Sequence, residues 1–371
     1  MTIAAGEVEI MNKHCRRACV AALLAALAPG LAPVAAAAPD YFSVSPAGSK
    51  YARAGSLNDL GRYAVNSFGP ESPYQGASIN GGPSSESVPG LGGYSTQVWG
   101  LNNRGEAVGL STTGAGESHV FLYSYGRMQD LSARYGVQWV RDINDRGDIA
   151  VWTADFRAGV LRGGVVDDPG LDSSAPVDLN ERGALLLDYF PSAGYRSAIY
   201  DDGTLTDLPL AGGMRVSGQA INDAGWVTGY FTSAQGRQHA FLWDGQTFTN
   251  LTPWARNSFG YDINNLGQVV GVSDERAFLY ADGELIDLNT RIDRDADLLL
   301  ISAEDINDRT QILANSCDRT GVFCYGSMLL TPVPGVPEAS PVAMLSIGVA
   351  LLAWLRTRSS KAGAVIGLPN R

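Results

Sequence analysis

Lysine is almost missing from this sequence. Three occur in 371 residues (Lys13, Lys50 and Lys361), and acidic residues outnumber basic ones 38 to 27, for a formal charge of −11. A surface that grips nucleic-acid phosphates needs clustered cations, and the chain has no such cluster, so nucleic acid is excluded as a partner. Histidine is as scarce, with only His14, His119 and His239. A Ser-His-Asp relay or a histidine-rich zinc site therefore lacks raw material. Long apolar runs are confined to the two ends. What the chain has in quantity is glycine (44 residues) and hydrophobic side chains (45%), too apolar for a disordered chain and enough for a sizeable core.

The first apolar run belongs to a secretory signal, residues 1–37. Lys13, Arg16 and Arg17 form a basic start, Ala18 to Leu31 an apolar stretch, and Val34 to Ala38 a small-residue cleavage region with the cut after Ala37. The leader reads from Met11, or carries a ten-residue extension. About 14 apolar residues broken by a proline are too few to span a bilayer as an anchor.

The second run follows a Pro-rich linker, residues 332–340. It is a short hydrophobic helix with an arginine cluster, residues 341–358, and a tail over 359–371 completes the chain. By length alone it suits a transient membrane span or an ordinary C-terminal anchor, with the cationic end held on the cytoplasmic side. The order of parts, Val336-Pro337-Glu338, then the apolar helix, then Arg356 and Arg358, resembles the PEP-CTERM sorting signal of Gram-negative bacteria. The resemblance implies processing by an exosortase-type enzyme after a signal peptidase has removed the leader. It also implies residence in the periplasm, on the outer surface or in the extracellular matrix.

Between the ends, one unit is repeated seven times. The pattern [Leu/Ile]-Asn-x-x-Gly begins at Leu57, Leu101, Ile143, Leu179, Ile221, Ile263 and Ile306, at intervals of 44, 42, 36, 42, 42 and 43 residues. Its asparagine is present in every copy (Asn58, Asn102, Asn144, Asn180, Asn222, Asn264 and Asn307), and its glycine in all but the last, where Thr310 stands. Asn-x-x-Gly is turn chemistry: asparagine bonds nearby backbone and glycine accepts positive φ. A β-rich stretch precedes each turn and an alternating stretch follows it. Third strands such as Ser118–Tyr123, Gln238–Trp243 and Glu275–Tyr280 come next, then a Gly turn and a fourth strand. Four short strands per roughly 42 residues is the size of a propeller blade. The expected fold is an all-β propeller over 41–331, of seven four-stranded blades, or of six blades plus an irregular arm because the first copy is Gly/Ser/Pro-rich.

The third-strand sequence His239-Ala240-Phe241, with the variants His119-Val120-Phe121 and Arg276-Ala277-Phe278, resembles the extracellular HAF-repeat family. That likeness implies a secreted repeat protein and supplies no catalytic residue. His119 and His239 share one repeat column, which favours packing over catalysis. Cys317 and Cys324 flank a short loop in the last copy and, in an oxidising compartment, read as a disulfide staple. Asp293, Asp295, Asp297 and Glu304 fall at positions 1, 3, 5 and 12 of an EF-hand-type calcium loop, but Leu298 replaces the glycine such a loop needs. The Asp before the motif (Asp142, Asp178, Asp262 and Asp305) can ring the channel and hold a cation, or accept backbone hydrogen bonds within each blade. Tryptophans Trp139, Trp152, Trp226 and Trp254, with Tyr94 and Tyr125, suit sugar stacking or core filling.

No cofactor is called for. The leading reading is a non-catalytic secreted or cell-surface repeat protein that interacts with extracellular polysaccharide or biofilm matrix. The rivals are a glycan lyase or hydrolase using channel carboxylates, and a protein-binding structural component of the surface.

Overall fold

The computed structural model describes residues 38–48, 52–68, 75–192, 194–212, 214–293, 298–318, 320 and 324–333. The signal and sorting segments, including Val336, Pro337, Glu338, Arg356 and Arg358, lie outside the described residues, as do Asp295 and Asp297.

Each Asn-x-x-Gly motif turns the chain from one strand into its antiparallel neighbour, and meandering pairing produces sheets of four. The third copy is typical, with strands Val137–Ile143, Ile149–Thr153, Ala158–Arg162 and Val165–Asp167 paired in that order. The fourth, fifth and sixth copies form four-stranded sheets in the same way. The first two copies join into one eight-stranded sheet, but the join is a single parallel pair between Gln75 and Ser95. The Gly/Ser/Pro-rich stretch of the first copy still forms strands, Gln75–Asn80 and Glu86–Val88. The last sheet is completed from the other end of the chain: Phe42–Pro46 pairs with Cys324–Pro332 outside Ile312–Cys317 and Leu299–Ile306. Sequence reading missed this strand, because it precedes the first repeat and belongs to the seventh.

Apolar packing lies between sheets. Seven clusters of buried residues each join neighbouring copies. One groups Leu187 and Ala158 of the fourth and third copies, another Leu186 and Phe241 of the fourth and fifth. The cluster of Ala47, Ala54, Leu57 and Leu313 joins the last copy to the first and closes the ring, giving the β-propeller arrangement. The phenylalanine of the third-strand triplet is the main filler, with Phe121, Phe241 and Phe278 at 2% exposure or less. Phe42 plays a similar part for the borrowed strand, fully buried against Leu300 and Leu330.

Near the end of each innermost strand the pairing slips by one residue, at the same place in all seven copies. Val98 pairs with Gly109 and Gly100 with Val108, leaving Trp99 as the extra residue. The equivalents are Gly55, Arg141, Val177, Gln219, Tyr261 and Glu304. These are β-bulges, which bend a strand and re-aim the unpaired residue. They also explain a glycine in the second strand: a Cβ on Gly109 or Gly271 would sit about 2 Å from the carbonyl oxygen of Gln97 or Phe259.

Candidate functional site

The motif turns meet around the axis, where two closed rings of hydrogen bonds run through all seven copies. In the first ring the asparagine side chain works in both directions. Asn144 accepts the backbone N–H groups of Arg146 and Asp148 at Oδ1, both at 3.0 Å, and so shapes its own turn. Its Nδ2 donates to the backbone carbonyl of Asn180 in the next copy at 3.1 Å. The same link runs from Asn58 to Asn102, Asn102 to Asn144, Asn180 to Asn222, Asn222 to Asn264 and Asn264 to Asn307. It returns from Asn307 to Asn58 at 2.9 Å.

The second ring uses the residue after each asparagine. The backbone N–H of Asp59 donates to the Asn103 side chain, Asn103 to Asp145, Asp145 to Glu181, Glu181 to Asp223, Asp223 to Asn265 and Asn265 to Asp308. Asp308 donates back to Asp59, with all seven distances between 2.7 and 2.9 Å. Sequence reading missed this column, although Asp, Asn or Glu fills it in every copy. In the last copy Thr310 takes the positive φ (59°) that glycine holds elsewhere, and its hydroxyl donates to Gln268 at 2.8 Å.

The aspartates before the motif take the structural role. Asp178 accepts the N–H of Ile221 at 2.7 Å, Asp262 that of Ile306 at 2.7 Å and Asp305 that of Leu57 at 2.9 Å, each in the following copy. They line an axial cavity of about 240 Å³ whose wall draws on all seven copies and carries nine carboxylates against one cation, Arg141. Removal from water pushes the four aspartates before the motif up, and Glu181 and Asp308 with them. Burial, reinforced by neighbouring Asp262, raises Asp178 to about 6, and burial raises Glu181 to about 7. Asp142 and Asp305 lie well above the ordinary carboxylate range, through burial and then the nearby charges of Asp178 and Asp262 respectively. Burial raises Asp262 as well.

The other candidates are dispersed. His239 is buried and donates from Nδ1 to the Thr252 carbonyl at 2.9 Å; His119 pairs through Nδ1 with Asp130 at 2.7 Å. Both tie a third strand to the segment that follows the fourth strand or ends it, the packing role their shared column implies. Glu304, an expected calcium ligand, lies inside the strand Leu299–Ile306 on the cavity wall, where Ser302 and Asn315 donate to its Oε1. Asp293 precedes that strand. Among the described residues no group of three or more His, Cys, Asp or Glu side chains is placed to hold a metal ion. Cys317 and Cys324 face each other across a strand pair in the backbone register. Trp254, Tyr94 and Tyr125 are exposed at 67%, 52% and 87%, whereas Trp139 is half-buried against Trp99, ring centroids 4.9 Å apart.

No family model matches the chain, and no curated protein matches it. Among solved structures the chain is similar to the β-propeller domain of the Trilobed protease from Pyrococcus furiosus. Identity is 11%, the TM-score 0.54, and the likeness covers 76% of this chain and 95% of that one. It is also similar to YCF48 bound to D1 peptide, at 10% identity and a TM-score of 0.51, over 82% of this chain and 98% of that one. Pyrococcus horikoshii acylaminoacyl peptidase matches at 12% identity and a TM-score of 0.49 over 72% of this chain, which spans only 50% of the peptidase. The first two likenesses establish the β-propeller fold and nothing of its activity.

Two outcomes follow from the rings. N144A orphans the turn amides of Arg146 and Asp148 and the buried Asn180 carbonyl, and urea unfolding should show a loss of about 2 kcal/mol. N144D keeps the acceptor and loses the donor; it should be destabilised near neutral pH and recover part of the loss below about pH 4, where the acid can donate. The raised carboxyls give the fold a pH slope. Carboxyls held above their unfolded values stabilise fully below about pH 4 and lose that contribution as pH rises through 6 to 7. The thermal midpoint should therefore fall between pH 5 and pH 8. D178N, which still accepts from Ile221, should fall less steeply; an equal slope would show that Asp178 takes no part.

Proposed function

We propose that this chain is an exported, non-catalytic, seven-bladed propeller that binds extracellular polysaccharide. The blade number counts the two halves of the eight-stranded sheet separately and follows the seven links of the asparagine ring. Export rests on the leader over 1–37. Sorting rests on the 332–358 segment with its PEP-CTERM-like order and its implied exosortase-type processing. The mature body, with 20 basic residues against 35 acidic ones outside 1–37 and 337–371, is a soluble polyanion suited to a matrix rather than to nucleic acid.

The observation that carries the binding reading is how the chemically capable groups are used. The axial carboxylates and both histidines are tied to backbone or to strand-holding partners, while aromatic rings stand exposed or line the axis. A glycosidase needs two carboxyl groups free to face a bond, one as acid and one as base or nucleophile. Here Asp178, Asp262, Asp305 and Glu181 each spend an oxygen on an N–H of a neighbouring copy. A second reading, a protein-binding or structural surface component, is favoured by the likeness to YCF48, whose structure holds a D1 peptide.

Incubating the full chain with a panel of polysaccharides should give retention on immobilised glycan with no reducing ends or unsaturated products released. Product release would return the enzyme reading. Retention of peptides but not glycans would favour the second. We also read Cys317 and Cys324 as a disulfide, supported by their cross-strand register. Peptide mapping of the exported protein without reductant should recover the two cysteines as one linked species, and free thiols at both would reject the staple.

A further inference from the structure

The seven bulged residues contrast with the two columns that close the rings. The asparagine column is uniform and the column after it is always Asp, Asn or Glu, because ring closure uses them. The bulge column reads Gly, Trp, Arg, Val, Gln, Tyr, Glu. No ladder hydrogen bond restrains a bulged residue, and the bulge turns it out of the pleat. Six of the seven line the axial cavity, Val177 being the exception. The same backbone device therefore presents a different side chain to one shared space from each copy.

What those side chains offer is specific. Trp99 and Tyr261 bring two aromatic rings, backed by Trp139 and by Phe259 stacked at 6.0 Å with planes 10° apart. The Trp99 indole N–H is buried and finds no acceptor among the described residues. Arg141 spends Nε on the Val177 carbonyl at 2.7 Å, which aligns its guanidinium at the cavity wall. Glu304, held through Oε1, is an acceptor beside the rings, and Gln219 supplies an amide. Gly55 leaves a gap where the other copies have a side chain. Aromatic faces next to interspersed donors and acceptors match the C–H faces and hydroxyls of a sugar ring. The cavity, about 240 Å³, lies just below the range of roughly 300–1,000 Å³ typical of drug-sized ligands, which suits a single ring. With nine carboxylates in the wall, a uronic acid meets like charge, whereas a neutral or amine-bearing sugar does not.

We propose that the bulge residues form a selector ring that seats one non-anionic sugar unit on the propeller axis, with Trp99 and Tyr261 as its platform. This rests on the polysaccharide-binding reading and names the site and sugar class for it. Titration calorimetry on the full chain with chitosan, cello- and polygalacturonate oligosaccharides tests it. The first two should bind, and polygalacturonate should bind at least about tenfold more weakly. W99F, which puts a smaller phenyl ring in place of the indole and removes its N–H, and Y261A should each weaken binding by about tenfold with the thermal midpoint little changed. V177A, a bulge residue outside the cavity wall, should leave affinity as it was. Glycan binding that survives W99F and Y261A would place the ligand elsewhere, such as the exposed Trp254 or Tyr94, and overturn the selector ring alone. Equal affinity for polygalacturonate would overturn the sugar class, and absence of binding to all three would overturn the saccharide reading with it.

Discussion

Everything in this molecule leans on one side chain used seven times, the asparagine of the inner turn. Strands that converge on an axis bring their turns close together and shut them off from water, which leaves backbone N–H and C=O groups needing partners. A carboxamide is the smallest side chain that can accept twice locally and still donate outward, and it carries no charge to desolvate. Asn144 does both, closing its own turn through Oδ1 and reaching the next copy through Nδ2. Serine or threonine lacks the reach, and aspartate lacks the donor. The link runs in one direction around the ring and returns to its start, so each copy is held on both sides without a separate clasp.

That first ring forces the character of the second. Once the turns are held edge to edge, the next residue's amide points at the neighbour's side chain, and only a short acceptor fits. Asp, Asn and Glu meet that need, and four Asp and one Glu among seven positions make the axis crowded with carboxylates. Loss of water raises the proton affinity of Glu181 and Asp308 in this ring and of the aspartates before the motif. A raised carboxyl is often the mark of an acid catalyst, but Asp178, Asp262 and Asp305 each accept a backbone N–H from the following copy. Here the perturbation records the cost of building the ring.

The repeat and its strands were legible because turn chemistry is local. Leu-Asn-x-x-Gly can be read from five residues, and the third strands Ser118–Ser124 and Gln238–Trp243 begin where the sequence pattern puts them. Three things were hidden. The strand Phe42–Pro46 belongs to the seventh sheet although it precedes the first repeat, and no local pattern ties residues some 285 positions apart. The Gly-rich first copy looked too poor for strands, yet outer strands need less burial, and Gln75–Asn80 pairs in full with Tyr63–Phe68. The bulges were invisible because a bulge is a relation between two strands, two residues against one; its only trace in one strand is a break in alternation. Thr310 stands in the glycine position of the seventh copy with its hydroxyl bonded to Gln268 of the sixth.

The division between uniform and variable columns follows from the same physics. The asparagine column is uniform because each side chain must shape its own turn and also reach the backbone carbonyl of the next copy, so a single wrong residue opens both the turn and one joint of the ring. A bulged residue takes no part in either ring, so closure places little demand on its identity. Seven such positions, six of them on the wall of one cavity, are where a repeat protein can acquire recognition without endangering its closure. Gly55, Trp99, Arg141, Gln219, Tyr261 and Glu304 occupy six of them on the cavity wall, and no two carry the same side chain. A ring built from identical links thus encloses an asymmetric space, which a symmetric assembly of seven equal copies could not do.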